Sequence, residues 1–233
     1  MYEFTSRIRY SEVKPDGKLS VLGLANRMQD CSVFHSIEVG RGPEIWLKES
    51  VGWVIVAWQI HIFREPEIGE RITTRTQAYQ FRGFEANRHF ILFDEKGETV
   101  AMANSNWAYF DMAAGRPIRI PQAEMDAYGL DAPLDMAAES RKITIPDGNV
   151  ESMLPYEVHA VSLDTNGHVN NARYIEMAVA CLPPDFPIRK IRVQYIRQAR
   201  LGDVLVPKVW HDEKGYVIWL ECDGRPYAVT EFK

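Results

Sequence analysis

Apolar and polar residues alternate along several stretches in the first half of the chain, which is the pattern of β-strands that bury one face. A weak alternation covers 4–10, and stronger ones cover 53–63, 71–79, 84–93 and 99–110. Between the first two, apolar residues recur at helical spacing after Ser20, a residue type that caps helices. They are Val21, Leu24, Ala25, Met28 and Cys31. One long helix followed by antiparallel strands predicts a sheet curled around a helix.

The last third of the chain repeats this plan in weak form. The turn at 200–203 (Arg-Leu-Gly-Asp) resembles the turn at 67–70 (Glu-Ile-Gly-Glu), and 220–224 resembles 93–97. Each segment has a glycine where two strands would meet, and glycine suits such turns because positive φ costs it little. The long period predicts a tandem domain duplication, since solenoid repeats are shorter.

Residues 116–152 differ from both halves. They contain four prolines with Asp and Ala between them, which predicts a linker that holds a short helix near 122–128. We therefore divide the chain into a first domain at 1–115, the linker at 116–152 and a second domain at 153–233.

A polar cluster lies in the second domain, between a strand predicted for 156–163 and a helix that ends before Pro183-Pro184. Asn166 and Gly167 suit a tight turn, and Asn170 or Asn171 could cap the helix. The helix N-terminus would offer N–H groups and a partial positive charge to an anion or oxyanion.

Three side chains of the cluster carry useful chemistry. His168 can gain or lose a proton near neutral pH, Asp164 could orient the imidazole or hold a water, and Asn166 could polarise a carbonyl oxygen. No Ser or Cys nucleophile is present, which favours an activated water, or a carboxylate or amide supplied from elsewhere in the chain. The alternative is a loop of turn-forming and capping residues with one incidental histidine.

Residues 164–175 read Asp-x-Asn-x-His-Val-Asn-Asn-x-x-Tyr-Ile. This motif resembles the second-half signature of the acyl-ACP thioesterases, the plant plastid enzymes and their bacterial relatives. The resemblance implies an α+β fold of two tandem hot-dog domains and hydrolysis of fatty acyl thioesters on acyl carrier protein. It also places Asp164, Asn166 and His168 on the family's catalytic Asp, Asn and His.

The resemblance extends over nearly the whole chain and implies that the first domain holds the acyl chain. A hydrophobic tunnel between the first helix and the sheet would be lined by Met28, Val54, Val56 and Trp58. The two sheets would pair within the chain, like a hot-dog homodimer fused into one molecule, and a further homodimer is possible.

The segment 193–199 departs from the plant pattern. In the plant enzymes a similar segment ends in Glu-Cys, and that Glu is counted as catalytic, whereas here the two positions are Gln198 and Ala199. A glutamine can position water or donate to an oxyanion, but it cannot accept a proton as a general base. We therefore expect Gln198 to position water, and Asp164 could take the base role if His168 and a water lie within its reach.

Composition and charge narrow the remaining choices. Hydrophobic residues make up 46% and charged residues 25% of the chain, as in globular proteins, and a net charge of -5 gives no support to nucleic-acid binding. No apolar run suggests a membrane span, and the first four residues open no signal or transit peptide. Since the plant enzymes of the family carry a transit peptide, the resemblance then implies a bacterial, cytoplasmic protein. The scattered histidines lack metal spacing, and the resemblance implies no cofactor.

Basic residues are frequent near the proposed site, and they offer a surface for an acidic carrier protein or the phosphate of its pantetheine arm. They are Arg189, Lys190, Arg192, Arg197 and Arg200. Solvated strand ends are an equally good interpretation. The function we favour is hydrolysis of fatty acyl-ACP, with a hot-dog acyl-CoA thioesterase and a non-catalytic acyl- or carrier-binding module as alternatives.

Overall fold

The computed structural model of the chain describes all of residues 1–233. They group into two compact units, of which the first contains residues 1–56 and 60–138 and the second contains residues 57–59 and 139–233. The main division, at 138/139, falls within the segment 116–152. None of the helices has the length and apolar content that a membrane-spanning helix needs.

The first unit is an antiparallel sheet with one long helix. The strands are β1 (Tyr2–Arg7), β2 (Val51–Ile62), β3 (Arg71–Arg82), β4 (Glu85–Asp94), β5 (Thr99–Asp111) and the short β6 (Arg116–Pro117). The helices are α1 (Val21–Glu38), α2 (Pro43–Glu49) and α3 (Gln122–Tyr128). The sheet order is β1-β3-β4-β5-β2. The predicted helix, the strands predicted for 53–63, 71–79, 84–93 and 99–110 and the short helix at 122–128 are confirmed. The strand predicted for 4–10 ends at Arg7, and Tyr10–Glu12 forms a 3-10 helix instead.

Local chemistry explains where α1 begins and which side it buries. Ser20 caps the helix by accepting the N–H of Gly23 at 3.0 Å. The helix lies against β1 and β3, and it buries Leu24, Met28 and Cys31 almost completely. The predicted apolar stripe is therefore the buried face of α1.

The layer between α1 and the sheet also holds polar groups. Nη1 of Arg88 lies 2.9 Å from Nδ1 of His35, and the guanidinium is 5.3 Å from the centre of the Tyr128 ring. Arg27 is 2% exposed and pairs with Glu12 at 3.3 Å. Hydrogen bonds and ring contacts thus offset part of the free-energy cost of removing these two guanidinium groups from water.

The second unit repeats the plan with a shorter helix. The strands are β7 (Glu151–Ser152), β8 (Tyr156–Glu157), β9 (Lys190–Tyr195), β10 (Val204–Asp212), β11 (Gly215–Cys222) and β12 (Arg225–Phe232), and the helix is α4 (Asn171–Val179). The sheet order is β9-β12-β11-β10-β7, and α4 packs on β11 and β12. An antiparallel sheet with a helix packed on it, present twice in succession, confirms the predicted α+β tandem hot-dog fold.

Two predicted boundaries in the second half are wrong. The strand predicted for 156–163 ends at Glu157, because the N–H groups of Ser162 and Leu163 bond to carbonyls three residues earlier and form a 3-10 turn at Ala160–Ser162. The helical spacing of Ala172, Ile175, Val179 and Leu182 predicts a helix that reaches Leu182, but α4 ends at Val179. The N–H groups of Cys181 and Leu182 also bond three residues back, which tightens the chain ahead of the two prolines.

Candidate active site

The loop that carries the polar cluster is closed by its own backbone. The N–H of Asp164 donates to the C=O of His168 at 2.7 Å, and the N–H of Gly167 donates to the C=O of Asp164 at 3.1 Å. Gly167 has a φ of 74°, a conformation that costs glycine little. Asp164, Asn166 and His168 are therefore held on one short, closed loop directly before α4.

The Asp164 carboxylate holds this loop in shape. Its Oδ1 accepts the N–H of Asn166 at 2.8 Å and the N–H of His168 at 3.2 Å. We expected Asp164 to orient the imidazole, but in the structure its hydrogen bonds go to the backbone of the loop. The carboxylate thus fixes where the side chains of Asn166 and His168 leave the chain.

The start of α4 provides few unused N–H groups. Asn170 is the N-cap, and its Oδ1 accepts the N–H of Ala172 at 2.9 Å, which confirms one of the two predicted caps. The N–H of Arg173 donates to the C=O of Asn170 at 2.9 Å. The N–H of Asn171 is left as the first-turn donor for an oxyanion.

The structure places Gln198 beside the same loop. Gln198 lies three residues after Tyr195, the last residue of β9. The C=O of the next residue, Ala199, accepts the N–H of Val169 at 2.9 Å. Gln198 and His168 are therefore each one residue away from this hydrogen-bonded pair. The Gln198 side chain is exposed, so it is available to a ligand at the loop.

The first unit contains a second copy of this loop, offset by 150 residues. Its backbone makes the same bonds: the N–H of Lys14 donates to the C=O of Lys18 at 2.8 Å, and the N–H of Leu19 donates to the C=O of Pro66 at 2.8 Å. Lys14, Asp16 and Lys18 occupy the positions of Asp164, Asn166 and His168. The match confirms the predicted duplication and shows that only the second copy has the residues of the proposed site.

The turns that contact the two loops correspond as well. The N–H of Gly69 donates to the C=O of Ile8 at 2.9 Å, and the N–H of Gly202 donates to the C=O of Val158 at 3.0 Å. The turns predicted to be similar, 67–70 and 200–203, are thus equivalent in space. Counting back from them, Glu65 corresponds to Gln198.

Two tyrosines, Tyr174 buried and Tyr195 half-buried, hold the surroundings of the loop, and sequence reasoning missed them. The Tyr174 hydroxyl accepts the N–H of Ala199 at 2.7 Å, and the Tyr195 hydroxyl donates to the C=O of Asn171 at 2.9 Å. Burial raises the pKa of Tyr174 to about 12, so its hydroxyl stays neutral. An alignment of 8–24 with 158–174 would have shown Tyr174 opposite a leucine.

The basic residues do not form the single cluster that we predicted. Lys190 begins β9, and its ammonium pairs with Glu139. Arg192 pairs with Glu231 and Glu139. Because a strand rises about 3.3 Å per residue, Lys190 lies roughly 16 Å from Tyr195 along β9, and farther from the loop. Only Arg197 and Arg200 lie near Gln198, so a role for Arg189 and Lys190 in carrier binding stays a prediction.

The residues predicted to bind the acyl chain lie in different surroundings. Met28 is fully buried on α1, and Trp58 is 3% exposed in the stretch 57–59 that groups with the second unit. On β2, Trp53 contacts the rings of Tyr109 and Tyr128, and Tyr128 in turn contacts α1.

Val54 does not fit the predicted tunnel between α1 and the sheet. Val54 follows Trp53 in β2, and successive strand residues point to opposite faces. The Val54 side chain therefore points to the face of the sheet opposite the one that contacts Tyr128. Val56, which is half-buried, and Trp58 lie on the same face of β2 as Val54 by the same alternation. They do not fit a tunnel against α1 either, and the contact of this face with an acyl chain stays a prediction.

Family models for two consecutive domains match this chain. The acyl-ACP thioesterase N-terminal domain matches residues 1–128, and the acyl-ACP thioesterase C-terminal domain matches residues 147–220. Together with the tandem fold and the loop before α4, these matches identify the chain as a member of the acyl-ACP thioesterase family.

Curated relatives are distant in sequence. A chloroplastic palmitoyl-acyl carrier protein thioesterase of Cuphea hookeriana is 24% identical over 225 residues, which cover 89% of this chain and 54% of the relative. The chloroplastic oleoyl-acyl carrier protein thioesterase 1 of Arabidopsis thaliana is 24% identical over 218 residues, covering 85% and 60%. The chain spans about half the length of the curated relatives it matches.

Solved structures agree in fold over the whole chain. An acyl-ACP thioesterase from Bacteroides thetaiotaomicron has a TM-score of 0.89 and 20% identity, covering 99% of this chain and 96% of its own. The 12:0-ACP thioesterase from Umbellularia californica has a TM-score of 0.83 and 20% identity, covering 100% and 96%. At this identity the agreement establishes the fold.

Proposed function

We propose that this protein hydrolyses the thioester that joins a fatty acyl chain to acyl carrier protein. The observation that carries the proposal is the grouping of Asp164, Asn166 and His168 on one closed loop, with Gln198 beside it, in a chain that belongs to the acyl-ACP thioesterase family. The curated relatives are named as acyl carrier protein thioesterases, which favours the same substrate class here.

In the proposed reaction a water molecule attacks the carbonyl carbon of the thioester. His168 accepts a proton from this water and later gives it to the sulfur of the leaving pantetheine thiolate, so that the carbon–sulfur bond breaks. Gln198 accepts a hydrogen bond from the water and orients it, but it takes no proton. The products are a free fatty acid and the thiol of the carrier.

The negative charge that develops on the thioester oxygen requires hydrogen-bond donors. The Asn166 amide and the N–H of Asn171 are the two groups that the loop and the start of α4 offer. Asp164 contributes indirectly, because its carboxylate binds the N–H groups of Asn166 and His168 and keeps both residues in place. The α4 dipole adds a partial positive charge at the same point.

A direct comparison of substrates tests the proposal. Wild-type protein and His168→Ala are assayed for thiol release with acyl-ACP and acyl-CoA of the same chain length. Release from acyl-ACP at the higher kcat/KM, lost in His168→Ala, supports the proposal. A preference for acyl-CoA would favour an acyl-CoA thioesterase, and binding of acyl-ACP without turnover would favour a non-catalytic carrier-binding module.

A cytoplasmic location and a further homodimer remain predictions of the sequence. The first is tested by fractionation of the native host. The second is tested by the mass of the purified protein in solution.

A further inference from the structure

A buried hydrogen bond joins α4 to the segment that carries Gln198. The N–H of Ala199 donates to the Tyr174 hydroxyl at 2.7 Å, and both residues are almost inaccessible, at 0% and 2% exposure. The C=O of Ala199 accepts the N–H of Val169 at 2.9 Å. Residue 199 is thus bonded on one side to α4 and on the other side to the loop of the candidate site.

The equivalent place in the first unit lacks both partners of this bond. Pro66 corresponds to Ala199, because its C=O accepts the N–H of Leu19 just as that of Ala199 accepts the N–H of Val169. Leu24 corresponds to Tyr174, since each is the fourth residue after the helix N-cap. Proline has no N–H to donate, and leucine has no polar atom. Donor and acceptor are therefore present together in one unit and absent together in the other.

Gln198 depends on this backbone for its position. Its side chain is exposed, and the adjacent backbone is fixed by the two hydrogen bonds of Ala199, so these bonds hold Gln198 beside the loop. If the Ala199 N–H lost its acceptor, it would be a buried donor without a partner, and such groups move until they find one. The movement would carry Gln198 away from His168.

We infer that Tyr174 is a positioning residue that holds Gln198 against the loop of Asp164, Asn166 and His168. This inference rests on the proposed function. Tyr174 acts through the backbone of Ala199 and does not touch the substrate. The loop of the first unit, which lacks the residues of the proposed site, has Leu24 and Pro66 instead.

Removal of the Tyr174 hydroxyl tests the inference. We expect Tyr174→Phe to lower kcat for acyl-ACP by roughly ten- to a hundredfold, because small misplacements of reacting groups have effects of this size. KM should change by less than about threefold, since no substrate contact is removed. The matched control is Tyr216→Phe, which removes a hydroxyl at the other end of the same sheet, where Tyr216 of β11 pairs with Phe232 of β12. It should change kcat by less than about threefold.

A second substitution distinguishes positioning from general packing. Ala199→Pro removes the N–H and copies the residue of the first unit. We expect Ala199→Pro alone to lower kcat about as much as Tyr174→Phe does, because both remove the same hydrogen bond, and the double variant to stay within about threefold of the slower single variant. An unchanged kcat in Tyr174→Phe, or a double variant slowed by the product of the two single effects, would overturn the inference.

Amide hydrogen exchange provides a readout that is independent of catalysis. The Ala199 amide should be protected in the wild-type protein and should exchange at least tenfold faster in Tyr174→Phe, while the Val193 amide in β9 keeps its protection. Equal protection of Ala199 in both proteins would overturn the inference even if Ala199→Pro does not fold. If the wild type shows no turnover of acyl-ACP, the proposed function fails, and exchange alone decides whether Tyr174 holds this segment.

Discussion

Nζ of Lys14 lies 2.7 Å from Oε1 of Glu65, at the two positions of the first unit that correspond to Asp164 and Gln198 in the second. The fold therefore brings side chains at these two positions within hydrogen-bonding distance in one of its copies. In the first unit the two residues form a partly exposed ion pair. In the second unit the equivalent residues, Asp164 and Gln198, lie on segments that are joined by the hydrogen bond from the Val169 N–H to the Ala199 C=O.

Replacement of Gln198 by glutamate tests which role this position has. A carboxylate could accept a proton from the attacking water, so we expect Gln198→Glu to raise kcat for acyl-ACP modestly, by less than the 10²- to 10⁴-fold typical of full general-base help. The carboxylate acts only when ionised, so activity should fall as the pH drops through its pKa. The measurement is the dependence of kcat on pH in both proteins.

The other outcomes of this substitution are equally specific. A fall of roughly 10²- to 10³-fold would mean that Gln198 donates to the oxyanion, since a carboxylate would repel it. An unchanged kcat would place residue 198 outside the site. Glu65→Gln in the first unit is the matched control, and we expect it to leave kcat unchanged.

His168 is expected to carry the proton transfer. His168→Ala should lower kcat by about a hundredfold or more, while the near-UV circular dichroism stays that of the wild type. Lys18→Ala makes the same change in the loop of the first unit and should leave kcat within about twofold. Equal activity of His168→Ala and wild type would remove this residue from the mechanism.

Acyl-chain selectivity tests the position of the acyl site. Met28 is fully buried on α1, and Met28→Phe should shift the preference toward shorter chains. The reason is that a clash costs more than the ~0.8 kcal/mol that one methylene gains on burial. Val56→Phe tests the half-buried β2 position in the same way. The control is Ile91→Phe, which adds a similar volume on the face of β4 opposite to the one that carries Phe90. A profile that stays fixed in stable Met28 and Val56 variants would place the acyl site elsewhere.

Carrier binding should depend on the charges near the loop. Arg197 and Arg200 are exposed on either side of Gln198, so reversing both to glutamate should raise KM for acyl-ACP and weaken its dependence on salt. The matched pair is Arg189→Glu with Lys190→Glu, at the other end of β9. A larger effect of this second pair would place the carrier-binding surface at that end of β9. A KM that changes neither with salt nor with either pair of substitutions would exclude docking guided by charge.

Local patterns predicted most of the elements because each was determined by nearby residues. Alternation defined the strands of the first unit, and Ser20 and Asn170 were recognisable as helix caps. The 3-10 turn at 160–162 was missed, because its hydrogen bonds span only three residues and leave the apolar alternation intact.

The candidate site was predictable only in part. Asp164, Asn166 and His168 lie close in sequence, so one loop brings them together. The contact of Tyr174 with Ala199 joins residues 25 positions apart, and no periodic pattern marks it. The basic residues show the opposite case. They are close in sequence, but an extended strand separates them in space.

The stability of the first unit should decrease on mild acidification. Burial, together with the charge of Arg88, lowers the pKa of His35 to about 3, and burial lowers the pKa of His89 to about 4. Both imidazoles are therefore neutral in the folded protein at pH 5, whereas in the unfolded chain they bind a proton below about pH 6.5. The unfolded state binds more protons between these limits, so the free energy of unfolding falls as the pH drops from about 6.5 toward 4. Each histidine contributes up to about 1.4 kcal/mol per pH unit.

Urea unfolding at pH 7 and pH 5 measures the loss of unfolding free energy. The loss should be smaller in His89→Gln and the same as in the wild type in His211→Gln, the control at an exposed histidine. An equal loss in all three proteins would show that His89 does not contribute to the acid sensitivity.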